Sequence, residues 1–192
     1  MSPKKTQIDR NVMNLIEMDA NESIECVIRK HPIGLFLTYA TGIFVSASVF
    51  VASFVAGIGI SNTDMFGNVL GMPPGVIVIS IGALLAAVVM FFTYVAGYIY
   101  QHNMIIVTSD KIAQVLYKNL IDSKVSQLSV GEIQDVTVDQ RGLLARFFNY
   151  GNLVIETAGE QNNYEFTFTP YPHKCAKDIV AVHEQSIKKY GN

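Results

Sequence analysis

Residues 33–60 and 76–100 contain no Asp, Glu, Lys, Arg or His, and about half of each stretch is Leu, Ile, Val or Phe. A helix rises about 1.5 Å per residue, so either stretch exceeds the roughly 20 residues that cross a 30 Å hydrocarbon core. Apolar side chains favour insertion by about 0.3–0.6 kcal/mol each, more than the scattered Ser, Thr and Gly oppose. The pattern therefore predicts a two-helix transmembrane hairpin. A soluble helix pair is disfavoured, because a 192-residue chain offers too little other apolar mass to bury it.

Cations set the expected orientation. Arg29 and Lys30 precede the first run and Lys111 and Lys118 follow the second, whereas the connecting residues 61–75 hold Asp64 as their only charge. The positive-inside rule then puts both termini in the cytoplasm and loop 61–75 outside. Tyr94, Tyr98 and Tyr100 gather at the cytoplasmic end of the second run, where amphipathic rings favour headgroups. The first run begins too far along the chain and is too long for a signal-peptide core. Three regions follow: an N-terminal cytoplasmic segment 1–32, the hairpin 33–100, and a cytoplasmic domain 101–192. The expected location is the cell membrane, multi-pass.

Ser48, Ala52 and Ala56 on the first run, and Gly82 with Ala86 and Ala83 with Ala87 on the second, recur every four residues. Small residues at that spacing let helices approach closely in lipid. The hydroxyls Thr38, Thr41, Ser46, Ser48, Ser53, Ser80 and Thr93 are expected to bond back to their own helices. No ionisable group lies at mid-membrane, so a transport path or a small-pore oligomeric channel ranks low. In segment 1–32, Ile8, Val12, Leu15 and Ile16 share a helical face, which reads as a short amphipathic helix docked on the body of the protein. Residues 20–29 read as a lead-in to the first span.

A net charge of −2 leaves no nucleic-acid footprint. Cys26 and Cys175 have no CxxC partner, and His173 with Cys175 completes no four-ligand set, so neither a metal nor any other cofactor is expected. His102, His173, His183, Asp135, Asp139 and Glu156 form no recognisable catalytic constellation, and the reading is non-enzymatic.

The C-terminal region alternates in the manner of strands at 103–108, 112–117, 124–130, 133–140, 152–158 and 164–169, with turn residues Ser109-Asp110 and a polar segment 159–163 between partners. Pro170 and Pro172 end the strands, and 173–189 suits an amphipathic helix. The expected class is α+β: the membrane hairpin followed by a small β-barrel or sandwich closed by a C-terminal helix. Leu143, Leu144, Phe147 and Phe148 form a bulky loop patch. One reading has them cap the open end of the barrel; the other has them meet the lipid interface or another subunit.

Ile133-Gln134-Asp135-Val136, Gln140, Gly142-Leu143-Leu144-Ala145-Arg146 and Tyr150-Gly151-Asn152-Leu153-Val154-Ile155-Glu156-Thr157-Ala158-Gly159 together resemble the bacterial pleckstrin-homology (PH) domain family, and more narrowly the YdbS-like membrane proteins. The lead-in Glu22–Pro32 is similar to theirs, and the resemblance covers nearly all of residues 20–188. It implies a pair of spans followed by a PH-like domain, with the motif residues serving structure; Gly151 after Tyr150 suits a tight start to a strand. In lipid-binding PH domains a basic first hairpin loop grips phosphates. The matching turn here, Ser109-Asp110-Lys111, has one cation beside an anion, and residues 101–192 carry nine Lys and Arg against ten Asp and Glu. Specific phosphoinositide binding is therefore not expected. The leading expectation is a membrane-anchored interaction or scaffold module whose partners are the bilayer and either itself or another membrane or cytoplasmic protein. Lipid binding or sensing is the alternative, with catalysis a remote third.

Overall fold

A computed structural model describes residues 22–61, 71–157 and 163–190, together with Ile16. The predicted helix around Ile8, Val12 and Leu15, and most of loop 61–75, lie outside the described residues. The chain divides into two units: a helical one, Leu35–Tyr98, and a β-rich one formed by the chain up to Gly34 and from Ile99 onward.

The β-rich unit contains two antiparallel sheets. The first has the order β1 (Ile24–Arg29), β2 (Met104–Thr108), β3 (Lys111–Tyr117), β4 (Ser123–Ser129). A single 3-10 turn, Val130–Glu132, leads to the second: β5 (Ile133–Asp139), β6 (Tyr150–Thr157), β7 (Tyr164–Pro170). All six strands expected after residue 100 are present. β1 is an addition, which the sequence reading takes as a connecting lead-in. Cys26 and Ile28 turn to the inter-sheet core, Ile24 and Val27 pack on the outer cluster across a register shift at Ile24/Cys26, and Arg29 pairs with Met104.

Period-two alternation explains why β2 is buried throughout. Ile105 and Val107 point between the sheets, joining Ile28, Ile112, Leu153, Ile155 and Phe166. Met104 and Ile106 point the other way, into a second cluster with Ala113, Val115 and Ile16. Ile16 packs in this cluster on the outer face of the first sheet. The sheets are tied by polar bonds too: Gln114 Nε2 donates to Glu165 O (2.8 Å) and Tyr164 Oη to Gln127 O (3.3 Å).

The expected C-terminal helix, α4 (Pro172–Tyr190), closes the core with Ile179 and Val182. Between β5 and β6 the chain forms a further helix, α3 (Leu143–Phe148), where the sequence reading has a loop. Six residues are too few for periodicity to announce it.

In the helical unit, α1 (Pro32–Ser61) and α2 (Pro74–His102) are each long and apolar enough to cross a membrane. Their seam differs from the expected rows. Gly42 meets Thr93, Ser53 meets Gly82, Gly57 meets Gly75, and Ser46 Oγ donates across to Ala86 O (3.0 Å). Gly82 and Ala86 are on the seam as expected, but Ser48, Ala52, Ala56, Ala83 and Ala87 are exposed. Buried Gly75, Gly82, Ala86, Thr93 and Gly97 alternate steps of seven and four, a stripe that a simple four-residue repeat cannot follow. Most hydroxyls bond back as expected: Thr41 to Leu37 O, Ser48 to Phe44 O, Ser53 to Val49 O, Ser80 to Val76 O and Thr93 to Val89 O.

Candidate interaction site

α3 is held by special backbone at both ends. Gly142 precedes it at φ 94°, ψ 161°, a region essentially restricted to glycine, and Asn149 ends it in the left-handed conformation with its N–H on Ala145 O. Gln140 Nε2 also donates to Ala145 O (2.8 Å). Ala145 alone turns inward, 3 % exposed. Leu143 and Phe147 are 88 % and 83 % exposed, and Leu144 and Phe148 also face solvent. The capping reading of these four residues is therefore overturned. The core is already sealed by Ile179 and Val182 of α4, which leaves the loop patch free.

The patch adjoins a set of stacked rings within the same unit. His31 lies 5.7 Å from Tyr150, which stacks on Phe168 at 5.4 Å, and Tyr100 meets Phe168 edge-on at 6.1 Å. Phe168 has φ 56°, costly for a bulky side chain, and its carbonyl accepts the His31 N–H at 2.6 Å. Tyr100 Oη donates to His31 O (2.7 Å). His31 Nδ1 accepts the Ile33 N–H (3.1 Å), so the neutral ring carries its proton on Nε2 and offers it to the Phe148 backbone. Burial lowers the His31 pKa, only partly offset by that bond. Lys30 Nζ bonds Thr167 Oγ1 (3.1 Å) and sits over the rings of Tyr100 and Phe166, and burial lowers its pKa as well.

Beside α3, Asn149, Tyr171, His173, Lys174 and Lys177 line an open cleft of about 400 Å³. Tyr171 also has a left-handed backbone, φ 46°. Sequence reasoning missed this cleft; the Lys174 and Lys177 spacing on one helical face was its available signal.

The motif residues divide between core and surface. Ile133 and Ile155 are core, and Val136 packs against them. Gly151 is required by close approach: a Cβ there would stand 2.9 Å from Asp139 O and 3.0 Å from Pro172 Cγ. Tyr150 belongs to the ring stack. Gln134 and Glu156 are exposed. Asp135, also exposed, accepts from the Val136 N–H (2.8 Å) and the Thr137 hydroxyl (3.0 Å). Thr157 is buried with no partner for its hydroxyl among the described residues.

Asp139 pairs with Arg141 (2.7 Å), while His102 and His183 are drawn to separate places, the Tyr117 ring and Val130 O. The Ser109-Asp110-Lys111 turn, which the sequence reading matches to the basic first hairpin loop, is the β2–β3 turn, because β1 precedes it and the β1–β2 connection carries the two long helices. Lys111 there pairs with Glu22 (3.2 Å). Among the described residues no three His, Cys, Asp or Glu side chains converge as a metal-holding group. Burial, reinforced by Cys175, Asp178 and Glu25, pushes the Cys26 thiol up to about 12. Burial with Asp178 pushes Cys175 up to about 11, and both remain protonated near neutrality.

With this architecture in view, the model of the family described as bacterial PH domain matches residues 40–182. The chain belongs to the bacterial PH domain family. The match takes in most of α1 and all of α2 as well as the strands from β2 to β7. Searches of curated proteins and of solved structures returned no match.

Proposed function

We propose that this bacterial PH domain protein is a non-catalytic, membrane-anchored interaction module of the YdbS-like kind. In this reading α1 and α2 cross the cell membrane, both termini and the β-rich unit are cytoplasmic, and the unit engages a second copy or a recruited protein. Anchoring is supported by the uncharged helices and by the cations that flank them. The run Ile133–Val136 with Tyr150–Thr157 supports the narrower family placement.

The observation that carries the interaction role is the open edges of the two sheets. β1 and β4 end the first sheet and β5 and β7 the second, each with a strand neighbour on one side only. Unpaired N–H and C=O groups along such an edge accept an added strand from another chain. Asp135 folds back onto the Val136 N–H of β5, and Lys30 and His31 after β1 bond Thr167 and Phe168 of β7, so β4 is taken as the edge to test. A photo-crosslinking residue at the exposed Gln127 of β4, in native membranes, tests this. A reproducible adduct, with another protein or with the chain itself, is expected; no adduct above that of a helix-surface control refutes the edge as the contact.

A second reading, contact with lipid, is favoured by the exposed α3 side chains.

A further inference from the structure

Antiparallel pairing fixes which loops of the β-rich unit share an end. Arg29 opposite Met104 puts the end of β1 and the start of β2 together, with Lys30 and His31 leading into α1 and Asn103 following α2. β3 returns to the same end, because Met104 faces Val115 and Tyr117 faces Ser123. Asn103 Oδ1 accepts the Tyr117 N–H (2.7 Å) there, and the His102 ring meets Tyr117. In the second sheet Asp139 faces Asn152 and Tyr150 faces Pro170. The His31 bond to Phe168 brings that end of the second sheet alongside. The turn 118–122, α3 and the first turn of α4 therefore all lie at the end from which both apolar helices continue.

Two apolar projections stand on this end. One is α3. The other is the β3–β4 turn, where Leu120 and Ile121 are 55 % and 94 % exposed. That turn is fixed by the Lys118 and Asn119 N–H groups on Asp122 O and by the Asn119 amide on Asp122 Oδ2, so its two apolar side chains are held outward. Around the projections lie the exposed cations Arg29, Lys118, Lys124, Arg146, Lys174 and Lys177. Among the described residues the acids at this end are Asp122, occupied in the turn, Asp139, occupied by Arg141, and Asp178, which follows Lys177 on α4 beside Cys175, so the exposed cations outnumber the acids. Glu22, Asp110 and Glu132 are at the opposite end, where Lys111 is paired. The near balance of charges across 101–192 thus conceals a polarity along the unit.

We infer that this end is a docking face for the anionic leaflet from which the helices emerge, Leu120–Ile121 and α3 dipping among acyl chains while the surrounding cations hold phospholipid phosphates. The inference rests on the anchored reading above. Charge complementarity and continuity with the apolar helices select lipid as the occupant: an apolar projection ringed by cations matches the interface of an anionic bilayer, and lysine stems can lie on the apolar surface while their heads reach phosphate.

The test uses the full chain carrying Cys26→Ala and Cys175→Ala, reconstituted in vesicles of equal parts phosphatidylcholine and phosphatidylglycerol. A polarity-sensitive fluorophore is placed on Ile121→Cys, Phe147→Cys, Glu132→Cys or Phe54→Cys in turn, with spin-labelled lipids as shallow or deep quenchers. Expected are a blue shift and loss of fluorescence to the shallow quencher at Ile121 and Phe147, none at Glu132, and loss to the deep quencher at Phe54. Quenching at Phe54 without quenching at Ile121 and Phe147 overturns the docking face alone. An unquenched Phe54 overturns the anchored reading and the docking face with it. A blue shift at Phe147 without quenching overturns lipid in favour of a protein contact. In phosphatidylcholine alone, or with Lys118, Lys124, Lys174 and Lys177 changed to Gln, the shallow quenching should fall; unchanged quenching overturns the assignment of the cations to phosphate.

Discussion

Replacing Gly151 with Ala adds one methyl group to the start of β6, and the surroundings decide the outcome. The new Cβ would stand 2.9 Å from Asp139 O and 3.0 Å from Pro172 Cγ. The first is backbone held in the β5–β6 ladder and the second is a ring that opens α4, so neither can swing aside. Overpacking of this kind costs about 1–3 kcal/mol. Against it, Ala narrows the unfolded ensemble and returns about 0.4–1 kcal/mol. The net expectation is a loss of about 1–2 kcal/mol, which raises the unfolded fraction roughly 5–30-fold. Cys26 and Cys175 provide the assay. Both lie in the β-rich unit, half-buried and protonated, so they react with a thiol reagent chiefly after that unit opens. Labelling of the full chain in micelles should accelerate in Gly151→Ala and stay near wild type in Gly131→Ala, where a Cβ meets nothing closer than Ser129 Oγ at 3.9 Å. Unchanged or slower labelling in Gly151→Ala would refute the close-approach explanation of this glycine.

Ile179→Ala should lose about 2–5 kcal/mol in the same assay, because Ile179 is fully buried between helix and sheets. Ser46→Ala should weaken pairing of α1 with α2 by about 0.6 kcal/mol through loss of the bond to Ala86 O, read from disulfide trapping across the hairpin; no change would show that bond to be idle. His31 is lowered from its ordinary 6.5 by burial, so the unfolded chain takes up its proton first as pH falls. Its contribution is complete above pH 6.5 and is lost as pH drops through the window below; that part of the pH slope should vanish in His31→Asn. Cys26 has the opposite sign: with a folded value of about 12 against 9.0, its contribution is complete below pH 9.0 and fades as pH climbs toward 12, and Cys26→Ala should flatten that alkaline limb.

Strands after residue 100 were legible because alternation and turn residues coincide: MIIVT ends at Ser109-Asp110, and YEFTFT is followed by Pro170. β1 was hidden by brevity and by position. Its partner β2 lies beyond two long helices in the chain, and local pattern carries no signal of that separation. The helix seam was half legible. Gly82 and Ala86 stood out, but glycine marked close approach at Gly42, Gly57 and Gly97 as well, off the four-residue rows. At the candidate site, composition identified Leu143, Leu144, Phe147 and Phe148. Their exposure could not be read from it, since that depends on α4 having filled the core. The grouping of Lys118, Lys124, Lys174 and Lys177 at one end emerges only from strand register.

Membrane anchoring with the β-rich unit in the cytoplasm underlies the whole functional account, and impermeant thiol labelling of intact cells tests it most directly. In the Cys26→Ala, Cys175→Ala background, Met72→Cys lies between the two helices and Glu132→Cys lies on the β-rich unit, both at exposed positions. The account predicts that Met72→Cys is labelled in intact cells while Glu132→Cys is labelled only after lysis. Labelling of Glu132→Cys in intact cells, with Met72→Cys protected, would contradict it.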